Sequence, residues 1–179
     1  VVFSHFENYP LITNKRADYD LFKEAIRLME EKEHLTEAGL AKMVAIKASM
    51  NQGLSEELKT AFPDVLPVPR PTVVDQIIQD PNWLAGFVSG EGCFQIKIFK
   101  SKTTVGEAIK LEFQATQHYR DELLMKSLIE YFECGNIYKD RETVNFKITK
   151  FNDFTNKVIP FFEKFKILGV KALDFSNFC

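Results

Sequence analysis

Five of the seven prolines of this 179-residue chain fall between positions 63 and 81. Proline cannot continue a helix and cannot donate a hydrogen bond to a strand ladder, so no long helix or central strand crosses this stretch. Proline-rich segments favour an extended, semi-rigid backbone. We therefore expect three parts, which are residues 1–62, a linker at 63–82, and residues 83–179.

The composition is that of a folded protein. The chain has 45% apolar and 27% charged residues, which is typical of a globular domain. No apolar run reaches the roughly 18 residues that a membrane-spanning helix requires, so we expect no membrane partner. Three widely spaced cysteines provide neither a disulfide framework nor a CxxC metal site. With a net charge of −2, the chain lacks the excess of basic residues that is common in nucleic-acid-binding domains.

The first part of the chain has helical patterning. Apolar residues after Asp18 recur at spacings of three and four, which predicts a helix with Asp18 as its N-cap. Thr36 and Ser55 precede a second helix and a short third one, and both are common N-cap residues. We expect these residues to form helices only.

The third part predicts both helices and strands. Asp80 and Pro81 suit the N-cap and the first position of a short helix. Beyond that helix, apolar and polar residues alternate in two hairpins, with helical spacing at residues 121–132 between them and a further helix after them. The predicted fold class is α+β, an antiparallel four-stranded sheet with helices on one face.

The second face of such a sheet lies in water, and its side chains indicate what contacts it. Here they are long and polar, with the reach needed for base edges and phosphates in a DNA groove. An ordinary solvated sheet face has the same alternation, so both interpretations stay open from the pattern alone. The candidate DNA-contacting residues are Gln95, Lys97, Phe99, Ser101, Lys102, Thr103, Lys110, Glu112, Gln114, Thr116, Tyr138, Asp140, Asn145, Lys147 and Thr149.

The two ends of the chain contain an internal repeat. Residues 2–22 match residues 158–178 without a gap at an offset of 156, and one of the six identical pairs is Lys15 with Lys171. Chance similarity of two aromatic-rich stretches is the alternative, but shared charged positions favour a true repeat. We interpret the first part of the chain as the C-terminal helices of a first repeat, and the third part as a second repeat truncated at its last helices.

The helix ahead of the sheet has an unusual set of residues. Gly86 and Gly90 share one face, on which a partner helix can approach closely and offset the roughly 0.5–1 kcal/mol that each glycine costs. Glu91 closes the helix, where the helix dipole disfavours an anion unless a cation is present. The Glu91 carboxylate and the Gly90 carbonyl are hard oxygen donors suited to Mg²⁺. A glutamate that merely faces solvent is the alternative.

The segment LAGFVSGEG at residues 84–92 resembles the signature of the LAGLIDADG homing endonucleases. Its longer form, WLAGF followed by GEGCF, is similar to the single-chain, two-motif branch found in organellar introns. The resemblance implies a saddle of two such sheets in the DNA major groove, with two motif helices packed at a pseudo-twofold axis. It further implies sequence-specific, metal-dependent cleavage of double-stranded DNA and a mitochondrial or other organellar location, although this chain contains no targeting signal.

The resemblance also implies roles for individual residues. Glu91 occupies the place of the metal-binding acid, with Gly90 contributing its carbonyl oxygen. Gln117 matches the polar residue near the bound water. Lys171 is the candidate for the basic residue that stabilises phosphoryl charge, and Lys15 is its equivalent in the first copy. The implied cofactor is Mg²⁺ or another divalent cation.

Only one motif occurs in this sequence, whereas a double-strand cut needs two acids. The second motif is expected either upstream in a longer protein or in a second copy of this chain, paired through Gly86 and Gly90 as a homodimer. Two other functions stay open, an RNA maturase that assists intron splicing and a catalytically inactive DNA-binding fragment. The presence of Glu91 beside Gly90 favours cleavage, because a splicing factor needs no metal-binding acid.

Overall fold

A computed structural model describes residues 2–102 and 104–179 of the chain. The Cα positions divide into two compact units, with the boundary between Asp75 and Gln76. That boundary falls inside the proline-rich segment, and no helix or strand is assigned between Ala61 and Pro81. The interpretation of the first unit as the end of a first repeat stays a prediction.

The first unit is helical. A 3₁₀ turn, Glu33–Leu35, separates its second and third helices. Thr36 begins the third helix by accepting a hydrogen bond from the Gly39 backbone N–H at 3.0 Å, and Ser55 begins the fourth by accepting from the Leu58 N–H at 3.4 Å, as the sequence predicts. The helices are α1 (Val2–Asn8), α2 (Lys15–Glu30), α3 (Glu37–Ser49) and α4 (Glu56–Ala61).

Asp18 is not an N-cap, so that prediction was wrong. Helix α2 begins one turn earlier, at Lys15. The Asp18 carboxylate instead accepts hydrogen bonds from the Arg70 guanidinium at 2.6 Å and from the Asn51 backbone N–H at 3.0 Å. The hydrogen bond from Arg70 lowers the pKa of Asp18 below its usual range, although partial burial opposes the shift. Asp18 therefore fastens the proline-rich segment to the helices.

The second unit contains the predicted four-stranded antiparallel sheet, with strand order β1-β2-β4-β3. Its strands are β1 (Gly92–Lys100), β2 (Glu107–His118), β3 (Asn136–Asp140) and β4 (Thr143–Ile148). A 3₁₀ turn, Tyr119–Asp121, follows β2, and a π-helical segment, Phe154–Val158, joins the seventh and eighth helices. The helices are α5 (Pro81–Glu91), α6 (Glu122–Phe132), α7 (Phe151–Asp153), α8 (Ile159–Lys164) and α9 (Lys171–Phe178).

Aromatic rings form the core between the sheet and its helices. Phe94 of β1 and Phe113 of β2 stack at 5.0 Å between ring centroids, and Phe113 contacts Phe162 of α8 at 5.9 Å. Each such pair contributes about 0.5–1.5 kcal/mol beyond the burial of its area. The predicted fold class, an α+β fold with helices on one face of the sheet, is therefore confirmed.

The described helices are too short or too polar to cross a lipid bilayer. Over residues 2–102 and 104–179, the structure contains no helix with the length and apolarity that crossing a membrane requires.

Candidate functional site

Helix α5 presents two different faces. Leu84, Ala85 and Val88 are buried against the sheet, whereas Gly86 and Gly90 are exposed. A Cβ atom added at either glycine would meet no described atom within 4 Å apart from its chain neighbours and the backbone of α5. One side of the helix is therefore a smooth backbone surface, open to solvent in this chain.

The C-terminal end of α5 leads directly into β1. Asp80 begins the helix as predicted, accepting a hydrogen bond from the Asn82 backbone N–H at 2.8 Å. At the other end, Gly92 starts the strand, and a Cβ there would lie 2.5 Å from Val88 Cγ1 and 2.7 Å from the Val88 carbonyl oxygen. Only glycine permits this sharp exit, which leaves Glu91 as the last helical residue, exposed to solvent.

Lys171, the first residue of α9, reaches this helix end. Its Nζ donates hydrogen bonds to the Gly90 carbonyl at 3.0 Å and to the Gly92 carbonyl. The Gly90 carbonyl belongs to the last helical turn, where the helix dipole favours a cation, and the Gly92 carbonyl belongs to the first residue of β1. The structure thus brings together three residues that the sequence singles out, Glu91, Gly90 and Lys171.

Ser89 helps to position Lys171 by binding the loop before α9. Ser89 was not identified from the sequence. Its hydroxyl donates to the Ala85 carbonyl at 2.7 Å and accepts from the Leu168 backbone N–H at 3.0 Å. The loop before α9 is thereby held against the last turn of α5. The two partners lie 79 positions apart, so no local pattern could have indicated the contact.

Gln117 lies at the same end of the β1–β2 ladder as Glu91. Gly92 pairs with Ala115, and Gln117 follows two residues later, opposite Val144. Its side chain is half-buried on the helix-facing side, and its amide oxygen accepts a hydrogen bond from the His118 backbone N–H at 3.2 Å. That bond leaves the Gln117 amide group with further donor and acceptor capacity.

Lys15 occupies the matching place in the first unit. Like Lys171, it is the first residue of its helix. Its Nζ is 3.4 Å from the Asn51 Oδ1 atom and 4.0 Å from the Asp18 carboxylate, with the side chain 72% exposed. At such exposure the ion pair contributes little to stability.

The donors at the end of α5 fit a hard divalent cation. A carboxylate, a backbone carbonyl and an accessible position suit Mg²⁺ or Ca²⁺, which prefer oxygen ligands. Within the described ranges, no cluster of three or more His, Cys, Asp or Glu side chains occurs that could hold a metal by itself. Glu91 and the Gly90 carbonyl could therefore supply only part of a coordination shell.

The strand register separates the helix-facing side of the sheet from an open face. Because Phe94 pairs with Phe113 and Phe113 with Ile148 on the helix side, the alternate residues point away. The predicted contact residues on the open face are Gln95, Lys97, Phe99, Lys110, Glu112, Gln114, Thr116, Tyr138, Asp140, Asn145 and Lys147.

The remaining predicted contacts lie at strand ends. Ser101 and Lys102 belong to the β1–β2 loop, and the Ser101 N–H donates to the Gly106 carbonyl at 2.9 Å. Thr149 is exposed directly after β4. Thr103 lies outside the described residues.

Two polar networks occupy the open face. In the first, the amide oxygen of Asn145 accepts hydrogen bonds from Gln114 at 2.9 Å and Thr116 at 2.7 Å. In the second, the buried carboxylate of Glu112 pairs with lysines of three strands, which include Lys97 at 2.6 Å. Side chains that sequence alternation only places on one face are thus held in fixed positions by their neighbours.

Two further residues lie on this face, although they were not among the candidate DNA-contacting residues identified from the sequence. Cys93 is exposed and accepts a hydrogen bond from Gln95 Nε2 at 3.2 Å, and Asn136 pairs with Lys147 across β3 and β4. The alternation that identified Gln95 and Tyr138 also covers these two positions, so the sequence contained the signal.

Comparisons with known proteins agree with this geometry. The family model described as LAGLIDADG endonuclease matches residues 84–179. "Probable intron-encoded endonuclease 3" of Neurospora crassa is 43% identical over 98% of this chain and 33% of its own length. The crystal structure of the I-SmaMI LAGLIDADG homing endonuclease bound to cleaved DNA has a TM-score of 0.97 and 49% identity, covering 100% of this chain and 61% of that one.

A second solved structure gives the same result. The LAGLIDADG meganuclease I-CpaMI bound to uncleaved DNA has a TM-score of 0.94 and 44% identity, over 99% of this chain and 62% of that chain. The chain thus spans 33% of the length of the curated relative and 61% and 62% of the two crystal chains.

Proposed function

The chain belongs to the LAGLIDADG endonuclease family, and from that premise we propose that it supplies one catalytic acid and one DNA-reading sheet of a sequence-specific, metal-dependent DNA endonuclease. The observation that carries the proposal is the end of α5. There an exposed glutamate, a free carbonyl and a lysine ammonium meet at one edge of an open polar sheet face.

We assign double-stranded DNA to the open face. Its side chains combine amide groups, hydroxyls and lysines, which are the groups that read base edges and contact phosphates. The similar I-SmaMI and I-CpaMI chains are solved bound to DNA, which supports this assignment. A four-stranded antiparallel sheet with long side chains on one face has the width to follow a groove over several base pairs.

Glu91 and the Gly90 carbonyl are the proposed cation ligands. A divalent cation bound there would lower the pKa of a water and stabilise the charge on the leaving oxygen. Support comes from the oxygen donor set and from an I-SmaMI complex solved in the presence of calcium ions, while the choice of Mg²⁺ rests on the donor chemistry alone. Gln117 is proposed to orient the attacking water through its side-chain amide.

Lys171 is proposed to stabilise the phosphoryl group in the transition state. Its ammonium already lies at the Gly90 carbonyl, so a small movement would bring it to a phosphate held beside Glu91. Lys15 would serve the equivalent end of another motif helix. Single and double lysine-to-alanine variants of I-SmaMI have been solved, and the two replaced lysines are separated by nearly the same distance in sequence as Lys15 and Lys171.

The second acid is proposed to come from another motif helix that packs on Gly86 and Gly90. The open backbone surface at these glycines supports such a contact, because a Cβ added at either one would meet no described atom within 4 Å apart from its chain neighbours and the backbone of α5. The partner would be either another segment of a longer protein or a second copy of this chain in a homodimer.

A cleavage assay tests the proposed role of Glu91. Supercoiled plasmids that carry a randomised insert are incubated with the chain and Mg²⁺, and nicked or linear products are quantified and sequenced. We expect Glu91→Gln to lower the rate at least about 100-fold, since it removes the charge that holds the cation. Glu130→Gln, an exposed glutamate of α6, is the matched control and should cut normally. Equal cleavage by Glu91→Gln would refute the assignment.

An organellar location is proposed with the same function. The Neurospora crassa relative is named as intron-encoded, and the two-motif form of the signature is the one found in organellar introns. Localisation of the tagged protein in its own host would test this directly, with a cytosolic signal as the contradicting result.

A further inference from the structure

The open sheet face contains one acidic side chain surrounded by lysines. Glu112 lies in β2, with its carboxylate 2.6 Å from Lys97 Nζ on β1, 3.4 Å from Lys147 Nζ on β4 and 3.5 Å from Lys110 Nζ on β2. The Glu112 side chain is only 3% exposed. The three lysine side chains are between 25% and 45% exposed, so the carboxylate lies beneath a group of accessible ammonium groups.

The ion pairs keep this buried carboxylate charged. Burial alone raises the pKa of Glu112, but hydrogen bonds and charge from Lys97 and Lys147 outweigh it and hold the pKa below its usual range. An isolated buried carboxylate would be very costly, whereas one that accepts hydrogen bonds from ammonium groups is stable. Glu112 is therefore an anion at neutral pH, placed between strands from both hairpins.

Binding to Glu112 restricts the side-chain conformations of the lysines and thereby fixes the positions of their ammonium groups. A free lysine side chain samples many rotamers and behaves as a mobile point charge. Lys97 and Lys147 are held at Glu112, and Lys147 also lies 5.8 Å from the centre of the Tyr138 ring. An ammonium group has three N–H donors, so each lysine keeps donors for a ligand after bonding to Glu112.

We propose that Glu112 is a specificity-determining positioning residue, which holds Lys97 and Lys147 as fixed donors to guanine in the major groove and withholds them from phosphates. This inference rests on the proposed DNA-binding function. Guanine presents two neighbouring acceptors, N7 and O6, that match donors in fixed places, whereas a mobile lysine reaches phosphates at any sequence. Glu112 thereby lowers the affinity for DNA of arbitrary sequence and raises the preference for guanine.

The negative charge of Glu112 also lowers the affinity of the open face for DNA of arbitrary sequence. The Glu112 carboxylate cancels the charge of one lysine, which reduces the attraction to any duplex regardless of its sequence. It leaves the hydrogen-bonding groups of the remaining donors in place. The pairing therefore lowers binding to arbitrary DNA more than it lowers binding to a site with guanine at the right positions.

Selection from a random duplex pool tests the inference with three chains. The wild type should enrich sites with guanine at one or more fixed positions. Glu112→Gln should bind arbitrary duplex more tightly, with a steeper salt dependence by about one unit of log K per log salt concentration. Its preference for guanine at those positions should fall by roughly 5- to 100-fold. Glu122→Gln is the control, because Glu122 also pairs with two lysines, Lys126 and Lys139, but lies in α6.

Glu112→Asp separates charge from position. It keeps the negative charge on a shorter side chain, so we expect the salt dependence of the wild type together with a weakened guanine preference. Far-ultraviolet circular dichroism verifies that each variant is folded, and the aspartate variant keeps the test decisive if Glu112→Gln does not fold.

The outcomes distinguish this inference from the proposed function. A wild-type chain that binds no duplex even at low salt would overturn both. A wild type that binds duplex, with Glu112→Gln retaining its guanine preference and salt dependence, would overturn the role of Glu112 alone. An equal change in Glu122→Gln would also overturn it, because the effect would then follow from net charge and not from position.

Discussion

Asp18 and Arg70 form the one ion pair in the described part of the first unit that joins a helix to the proline-rich segment. The Arg70 guanidinium also donates to the Ser49 carbonyl at 2.8 Å and to the Asn14 carbonyl at 3.3 Å. With its Asp18 partner 13% exposed, this pair is better shielded from water than a typical surface pair. Arg70 thus contacts the end of α3 and the start of α2.

We predict that Asp18→Asn destabilises the first unit at neutral pH by about 1–3 kcal/mol, because it leaves Arg70 without its charged partner. The pKa of Asp18 is lowered in the folded state, so its contribution is present above the unfolded value near 4 and is lost as pH falls through the lower folded value. Hydrogen exchange of α2 and α3 amides measures this. The variant and the wild type should differ at pH 7 and converge as the pH falls through the lowered pKa of Asp18.

The control for this experiment is Asp64→Asn, an exposed aspartate of the same segment. It should leave exchange in α2 and α3 unchanged at every pH. A constant difference between Asp18→Asn and the wild type down to low pH would show that the carboxylate charge is not what stabilises the unit.

The sequence predicts some contacts of single residues and misses others for a physical reason. The N-caps at Thr36, Ser55 and Asp80 depend on neighbours two or three positions away, and all three form as predicted. The partners of Asp18 and Lys171 lie between 33 and 81 positions away. Such contacts depend on how whole elements pack, which residue type and spacing do not encode.

At the scale of elements, the motif helix combines a buried face with a smooth exposed one. Its glycines weaken the helix relative to alanine, by roughly 0.5–1 kcal/mol each, and among the described residues a Cβ at Gly86 would find open space within 4 Å beyond its own helix. Stability alone therefore does not explain that glycine. The proposed close approach of another helix would explain it.

We predict that Gly86→Leu leaves the second unit as stable as the wild type or slightly more stable, because leucine is a better helix former and its Cβ meets no neighbour. The same change should abolish DNA cleavage by keeping the second motif helix away. Trp83, stacked on Phe87 at 5.2 Å in the same helix, reports thermal unfolding by fluorescence.

The control for the glycine experiment is Glu130→Leu, which adds similar bulk at an exposed position of α6. It should cut DNA normally. Normal cleavage by Gly86→Leu would mean that the glycine surface is not a pairing surface, whereas a large loss of stability would mean that the exposed space at Gly86 is smaller than the structure indicates.

Alternation predicted the sheet, its two hairpins and its faces, because a period of two is a local property of strands. It placed Glu112, Lys97 and Lys147 on one face without indicating that they bind one another. Lys97 is 15 and Lys147 is 35 positions from Glu112 in the chain, and strand order β1-β2-β4-β3 decides which pairs meet. The register of the whole sheet is therefore needed to find this network.

At the scale of the whole molecule, the described residues contain one four-stranded sheet and one motif helix, which ends at Glu91. Its net charge is −2, so the proposed attraction to DNA would come from the lysines of the open face and not from the charge of the whole chain. The relative from Neurospora crassa is matched over 33% of its length. We propose that the remaining parts of the active site come from a second motif, and that the motif at the end of α5 holds a divalent cation.

The most direct measurement of that claim is anomalous scattering from crystals of the chain with its selected duplex, soaked in Mn²⁺ as a stand-in for Mg²⁺. We predict a Mn²⁺ peak about 2.0–2.3 Å from the Glu91 carboxylate, with the Gly90 carbonyl and a phosphate oxygen in the same coordination shell. Clear Mn²⁺ density elsewhere, with Glu91 turned to solvent and DNA seated on the open face, would contradict the account.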